Sequence, residues 1–236
     1  MFDPNANSTN TTAIINPLPR VIVALVLALV LPELVLQLAD RGYIGGPEGI
    51  GWRTEAIREF GFFDSVFEYM RQTGTLDWNT LHRFVTYPFL NFNLMNMAFG
   101  AVLTLALGKG VAEYFSWWAV LVVFFGAAIV AALTMGVFLD ERYPVIGAQG
   151  PMFGLIGAYT WMLWLKAGQN RRQQIMAFRI VAFLTFISLI IFFFFGGGYF
   201  WVGQLAGFAT GFALSFVLAP DGPARVRGWI NYLRQR

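Results

Sequence analysis

Gly147-Ala148-Gln149-Gly150-Pro151-Met152-Phe153-Gly154-Leu155-Ile156-Gly157 opens an apolar segment that runs to about Leu165. Its glycines at 150, 154 and 157 fall three and four apart, which on a helix makes one face without side chains. Such a face lets a second helix approach to backbone contact. A matching face lies near the other end of the chain at Gly203, Gly207 and Gly211. Each stretch carries one glutamine beside its glycines, Gln149 and Gln204, so two polar amides sit in otherwise apolar, close-packing helices.

The composition sets the solvent. Of the 236 residues 57% are hydrophobic and 12% are charged, too little polar surface to cover a water-soluble globule. The chain reads as an integral membrane protein. It contains no cysteine, which removes disulfides, thiolate metal ligands and thiol nucleophiles. The basic balance, with a pI near 9.4, fits an excess of lysine and arginine in cytoplasmic loops, and nucleic acid is not an expected partner.

A hydrocarbon core of about 30 Å takes roughly 20 helical residues to cross, and six apolar segments approach that length. They run from about Val21 to Leu38, Phe84 to Leu107, Trp117 to Leu139, Gly150 to Leu165, Ala177 to Phe195 and Tyr199 to Leu218. Short connections predict one all-α bundle over residues 20–219, flanked by a polar cytoplasmic tail at 1–19 and a basic one at 220–236. Pro32 is expected to kink the first segment, and Glu33, past its midpoint, to snorkel to the nearby interface. Residues 42–83 form a long outward loop. In it Ile57, Phe60, Phe63, Phe67 and Met70 recur at helical spacing, predicting one amphipathic helix. That helix either lies in the membrane interface or packs on the protein's own surface.

Arg20, Lys109, Lys166, Arg171, Arg172, Arg179, Arg225, Arg227, Arg234 and Arg236 fall on one side if the segments alternate, and Asp140, Glu141 and Arg142 on the other. Both termini are then cytoplasmic, in a bacterial inner membrane.

The order of these features resembles the rhomboid family of intramembrane serine proteases. The resemblance covers roughly Val21 to Leu218 and rests on the six segments with a long first outward loop and on His82-Arg83-Phe84-Val85-Thr86-Tyr87-Pro88-Phe89-Leu90 before the second segment. Glu113 after that segment, Gly147-Ala148-Gln149-Gly150, and Gly203-Gln204-Leu205-Ala206-Gly207 with Gly211 complete it. It implies that a nucleophilic serine would stand at Gln149 and a general-base histidine at Gln204. The residues supporting the oxyanion would stand at Asn96 and Gly100, and an aromatic residue under the base is kept at Phe153. Of the family's Trp-Arg pair in the first loop, Arg83 remains and His82 takes the place of the tryptophan.

A hydroxyl nucleophile needs a neighbouring base, and a carboxamide neither attacks nor takes up a proton near neutral pH. The one histidine of the chain, His82, sits at the outer mouth of the second segment, away from Ser188 and Ser215. The expectation is a rhomboid-like pseudoprotease with no metal or cofactor, embedded in lipid and holding transmembrane helices of client or partner proteins between its second and fifth segments. Gln149 and Gln204 would face one another as a brace. Asn91, Asn93 and Asn96 either line the same wet cavity or meet headgroups, and His82 and Arg83 complete the candidate partner-binding set. Two alternatives stand beside it: a structural or assembly subunit of a larger bacterial membrane complex, and a protease working by an unrecognised route.

Overall fold

The computed structural model describes residues 18–75, 77–138, 144–196 and 198–220. Most of both expected tails and the Asp140, Glu141, Arg142 loop lie outside the described residues. The described chain is helical, with one isolated bridge between Phe62 and Val145.

Five long helices carry the bundle: α1 (Arg20–Asp40), α7 (Leu94–Tyr114), α8 (Trp117–Phe138), α9 (Gln149–Lys166) and α12 (Phe200–Leu218). Between α1 and α7 the chain makes short helices α2 (Gly46–Gly49), α3 (Trp52–Phe60), α4 (Asp64–Thr73), α5 (Trp78–Leu81) and α6 (Arg83–Thr86), then a 3-10 turn over Tyr87–Phe89. After α9 come α10 (Arg171–Ala177) and α11 (Arg179–Phe195), bent by 41° at Phe178. Four helices are long and apolar enough to cross a bilayer, namely α1, α7, α8 and α12, and α10 with α11 makes a fifth if the bent pair is one span. α9 falls short in apolarity because its first turns carry Gln149, glycines and Pro151. It is instead the helix the others surround, buried continuously from Gly150 to Ala158.

Small residues explain why α9 sits at the centre. A methyl group on Gly207 would strike the carbonyl oxygen of Gly150, one on Gly211 that of Gly154, and one on Gly157 the carbonyl of Phe208. Helices α9 and α12 therefore meet backbone to backbone, the approach their glycine spacing predicts. Gly203 departs from that expectation: its open side faces Met135 of α8, 3.1 Å from where a Cβ would stand. On its other flank α9 receives the α8 alanines, with Ala131 against Gly150 and Ala127 against Gly154. The core is thus three helices, α8, α9 and α12, with α1 and α7 paired beside it through contacts such as Ile22 over Gly108.

Three local expectations are overturned. The second apolar segment is not one continuous helix from Phe84: α6 ends at Thr86, Pro88 holds a 3-10 turn, Leu90 is extended (φ −94°, ψ 141°), and the Asn93 side chain accepts from the Asn96 N–H at 2.9 Å to start α7 afresh. At its other end α7 runs on to Tyr114, past the expected Leu107, so Glu113 lies inside the helix rather than after it. The single amphipathic helix of the loop is broken into α3 and α4, because Gly61 turns extended and Phe62 exchanges two backbone hydrogen bonds with Val145. Phe62 and Phe67 are buried with Phe84 and Tyr87 against Ala128 and Ala132 of α8, so the loop packs on the protein. Finally, Glu33 does not snorkel. Its side chain is fully buried and ion-pairs with Arg53 of α3 at 3.0 Å.

Arg53 reaches further, bonding Asp40 at 2.7 Å and the Asn91 carbonyl at 2.8 Å, while Gln37 donates to Glu33 at 2.9 Å. Burial alone would lower the Arg53 pKa, but hydrogen bonds to Glu33 and Asp40 outweigh it and the guanidinium is held above its usual value. A buried carboxylate in α1 is tolerated because a loop arginine enters to meet it.

Candidate functional site

The glycine contacts bring the first turn of α9 beside the first turns of α12, and this sets the two glutamines face to face. Gln204 Nε2 donates to Gln149 Oε1 at 3.0 Å. Ser188 of α11 donates through its hydroxyl to Gln204 Oε1 at 2.8 Å. Gln204 is 8% exposed, so its amide is paired almost entirely within the protein. The chain Ser188, Gln204, Gln149 links α11, α12 and α9, and none of the three groups is a base near neutral pH. As chemistry it can order helices and offer amide donors and acceptors to a ligand.

Two spaces adjoin this chain. A small cavity of about 20 Å³ lies between Tyr87, Ala131, Met135, Gly150 and the two glutamines, room for about one water. Tyr87 donates to the Ala128 carbonyl at 3.0 Å and roofs that cavity from the segment before α7. On the other side a groove of about 550 Å³ opens between α7, α9, α11 and α12. Phe99, Phe153, Phe183 and Ile187 form its apolar walls, and Gln149, Ser188 and Gln204 its polar floor.

Asn96 and Gly100 lie at the end of α7 that meets the entrance to α9. A Cβ on Gly147 would stand 3.6 Å from Asn96 Oδ1, and one on Gly100 3.7 Å from the Ala148 Cβ. Gly147 has φ +94°, a left-handed conformation that glycine adopts without strain, and its N–H donates to the Tyr87 carbonyl at 3.1 Å. Phe153, one turn after Gln149, is buried and faces the groove.

The other candidates go elsewhere. Asn91 is buried in the Glu33 and Arg53 cluster, Asn93 caps α7, and neither lines the cavity or the groove. Asn91 and Asn93 fall in the break before α7, and Asn96, inside the first turn of that helix, is absent from the lining of both spaces as well. Both ring nitrogens of His82 face carbonyls, of Trp78 at 2.8 Å and Glu59 at 3.1 Å. Arg83 donates to the carbonyls of Arg58, Gly61 and Asn79 at 2.8, 2.9 and 3.0 Å. These two residues tie down the turn between α3 and α4 and take no part in the groove. Sequence reasoning missed Ser188 and Tyr87, whose neighbours come from distant segments. It also missed Arg53, for which a buried carboxylate in a membrane segment was the available signal.

The comparisons agree with this architecture. No curated protein matches the chain. A family model described as Rhomboid domain matches residues 79–221, more than half of the chain and the part that contains the three-helix core, the glutamine pair and the groove. The glycine-to-glycine seating of α9 on α12 and this match lead to one assignment: the chain is a membrane protein of the rhomboid family.

Proposed function

We propose that this rhomboid-family protein binds transmembrane segments without hydrolysing them. Gln149 and Gln204 stand at the positions the family resemblance gives to the nucleophile and the base, and the hydrogen bond between them carries the reading. Two carboxamides bonded to one another supply neither an attacking alkoxide nor a proton acceptor. Ser188 adds a hydroxyl, but its acceptor is an amide oxygen, which cannot take its proton. The groove supports the binding half of the proposal. Its apolar walls suit the side chains of a helix arriving from lipid, and its floor offers hydrogen bonds at the depth where such a helix would bring a polar or unwound residue. We place the protein in a bacterial inner membrane with both termini cytoplasmic, on the distribution of basic residues.

Co-reconstitution of the full chain with a single-span reporter helix tests this. With photo-crosslinking residues in turn at Phe183, on the groove wall, and at Val217, exposed on α12, the reporter is expected to be captured at 183 and not at 217, and to be recovered uncleaved. Fluorophosphonate labelling of the wild-type chain is expected to stay at the level of the heat-denatured control. Cleavage of the reporter, or specific fluorophosphonate labelling, would refute the non-hydrolytic reading, and equal capture at both positions would refute the groove.

A further inference from the structure

The end of the bundle opposite Gln149 carries a further, separate pocket. Helix α9 ends at Lys166, Gly168 turns the chain with φ +54°, and Asn170 caps α10 by accepting from the Gln173 N–H at 3.3 Å. Gln174 Nε2 reaches back to the Gly168 carbonyl at 2.6 Å, which fixes α10 against the turn. The 41° bend at Phe178 then leaves a space of about 330 Å³ between α9 and α10, lined by Trp164, Arg171, Gln174, Ile175 and Phe178. Its aromatic walls are held from behind: Trp164 and Phe178 both lie against Phe212 of α12, with ring centroids 6.3 and 5.7 Å apart.

The segment that forms the pocket, residues 166–179, carries basic residues and no acidic ones. Arg171 lines the pocket, Lys166, Arg172 and Arg179 are exposed nearby in the chain with Lys166 Nζ 5.8 Å from the Tyr114 ring centre, and among the described residues none of the four forms an ion pair. Ile175 and Met176, on the same short helix, are 66% and 49% exposed. Exposed apolar side chains interleaved with exposed cations match a surface lying where acyl chains give way to headgroups. Trp117 and Trp118, exposed at the start of α8, mark that level of the bilayer at the same end of the bundle.

We propose that this pocket is a binding site for an anionic phospholipid. The Arg171 guanidinium takes the phosphodiester in a forked pair of hydrogen bonds, and the glycerol and first acyl methylenes lie on Trp164, Phe178 and Ile175. The occupant is a lipid rather than a soluble phosphate because most of the pocket's lining is aromatic or aliphatic.

The test uses the full chain purified from mixed bilayers of phosphatidylglycerol and phosphatidylcholine, with retained lipid counted by native mass spectrometry. Phosphatidylglycerol is expected to be retained over phosphatidylcholine. Arg171→Gln should lower its retention about fivefold, the effect of one basic residue near a charged surface. Arg41→Gln, which removes a charge at the opposite end, should leave it unchanged. Arg171→Lys should keep part of the retention, since the charge stays and the fork is lost. Equal retention of the two lipids, an Arg171→Gln variant indistinguishable from wild type, or displacement of the lipid by millimolar inorganic phosphate would each overturn the proposal. The thermal midpoint of each variant, unchanged if the fold is intact, separates loss of the site from loss of the protein.

Discussion

Gln204 illustrates how a buried amide is accommodated where water is scarce. Its oxygen accepts from Ser188 and its nitrogen donates to Gln149, so both ends of the group are used. Each interhelical bond of this kind contributes about 0.6–2 kcal/mol, because the alternative partners in an unfolded membrane chain are also polar. Replacing both glutamines by alanine removes both bonds and is therefore expected to lower stability in detergent by about 1–4 kcal/mol, read as a shift in the thermal midpoint. An unchanged midpoint would mean that the amides do not brace the helices.

At the scale of the element, the meeting of α9 with α12 depends on the absence of side chains rather than on any attraction between them. Gly211 has the Gly154 carbonyl where a Cβ would go, and that oxygen belongs to a helix backbone that cannot yield locally. Gly211→Ala is expected to cost about 1–3 kcal/mol as the helices are forced apart. Gly100→Ala, whose new methyl group would meet only the Ala148 Cβ at 3.7 Å, should fall within about 0.5 kcal/mol of wild type. Unfolding of the two variants in mixed micelles compares them directly, and equal losses would remove the seating argument. Helix α11 shows the opposite case. Val181 is its one buried residue, Phe186 and Phe193 to Phe195 are exposed and Phe183 borders the groove, which leaves the helix held by Ser188 and by limited contacts with α12 and α9.

For the whole molecule, the segment between α1 and α7 and the bundle are one folded unit. Arg53 carries α3 onto α1, Arg83 and His82 secure the turn after α3, and the exchange between Phe62 and Val145 ties the same loop to the approach to α9. Arg53→Ala would strand the Glu33 carboxylate, an uncompensated buried charge worth about 3–5 kcal/mol. Limited proteolysis should then cut the loop in the variant while the wild type resists. The pair Glu33→Gln with Arg53→Met should recover most of the loss, and a variant as resistant as wild type would show that the clamp is dispensable. Segments of long apolar side chains, glycines three and four apart and the basic residues at their ends could be read directly, since hydrocarbon thickness and helix periodicity act on consecutive residues. That is why the sequence by itself determined the membrane class, the all-helical architecture and the apposition of Gly207 and Gly211 with Gly150 and Gly154. The tertiary structure alone decided that Arg53 meets Glu33, that Ser188 completes the glutamine pair, that Gly203 faces α8 and that Asn91 leaves the groove. Each of those depends on where chain segments far apart in sequence come to rest, and hydrogen bonds across such distances leave no period in the sequence to read.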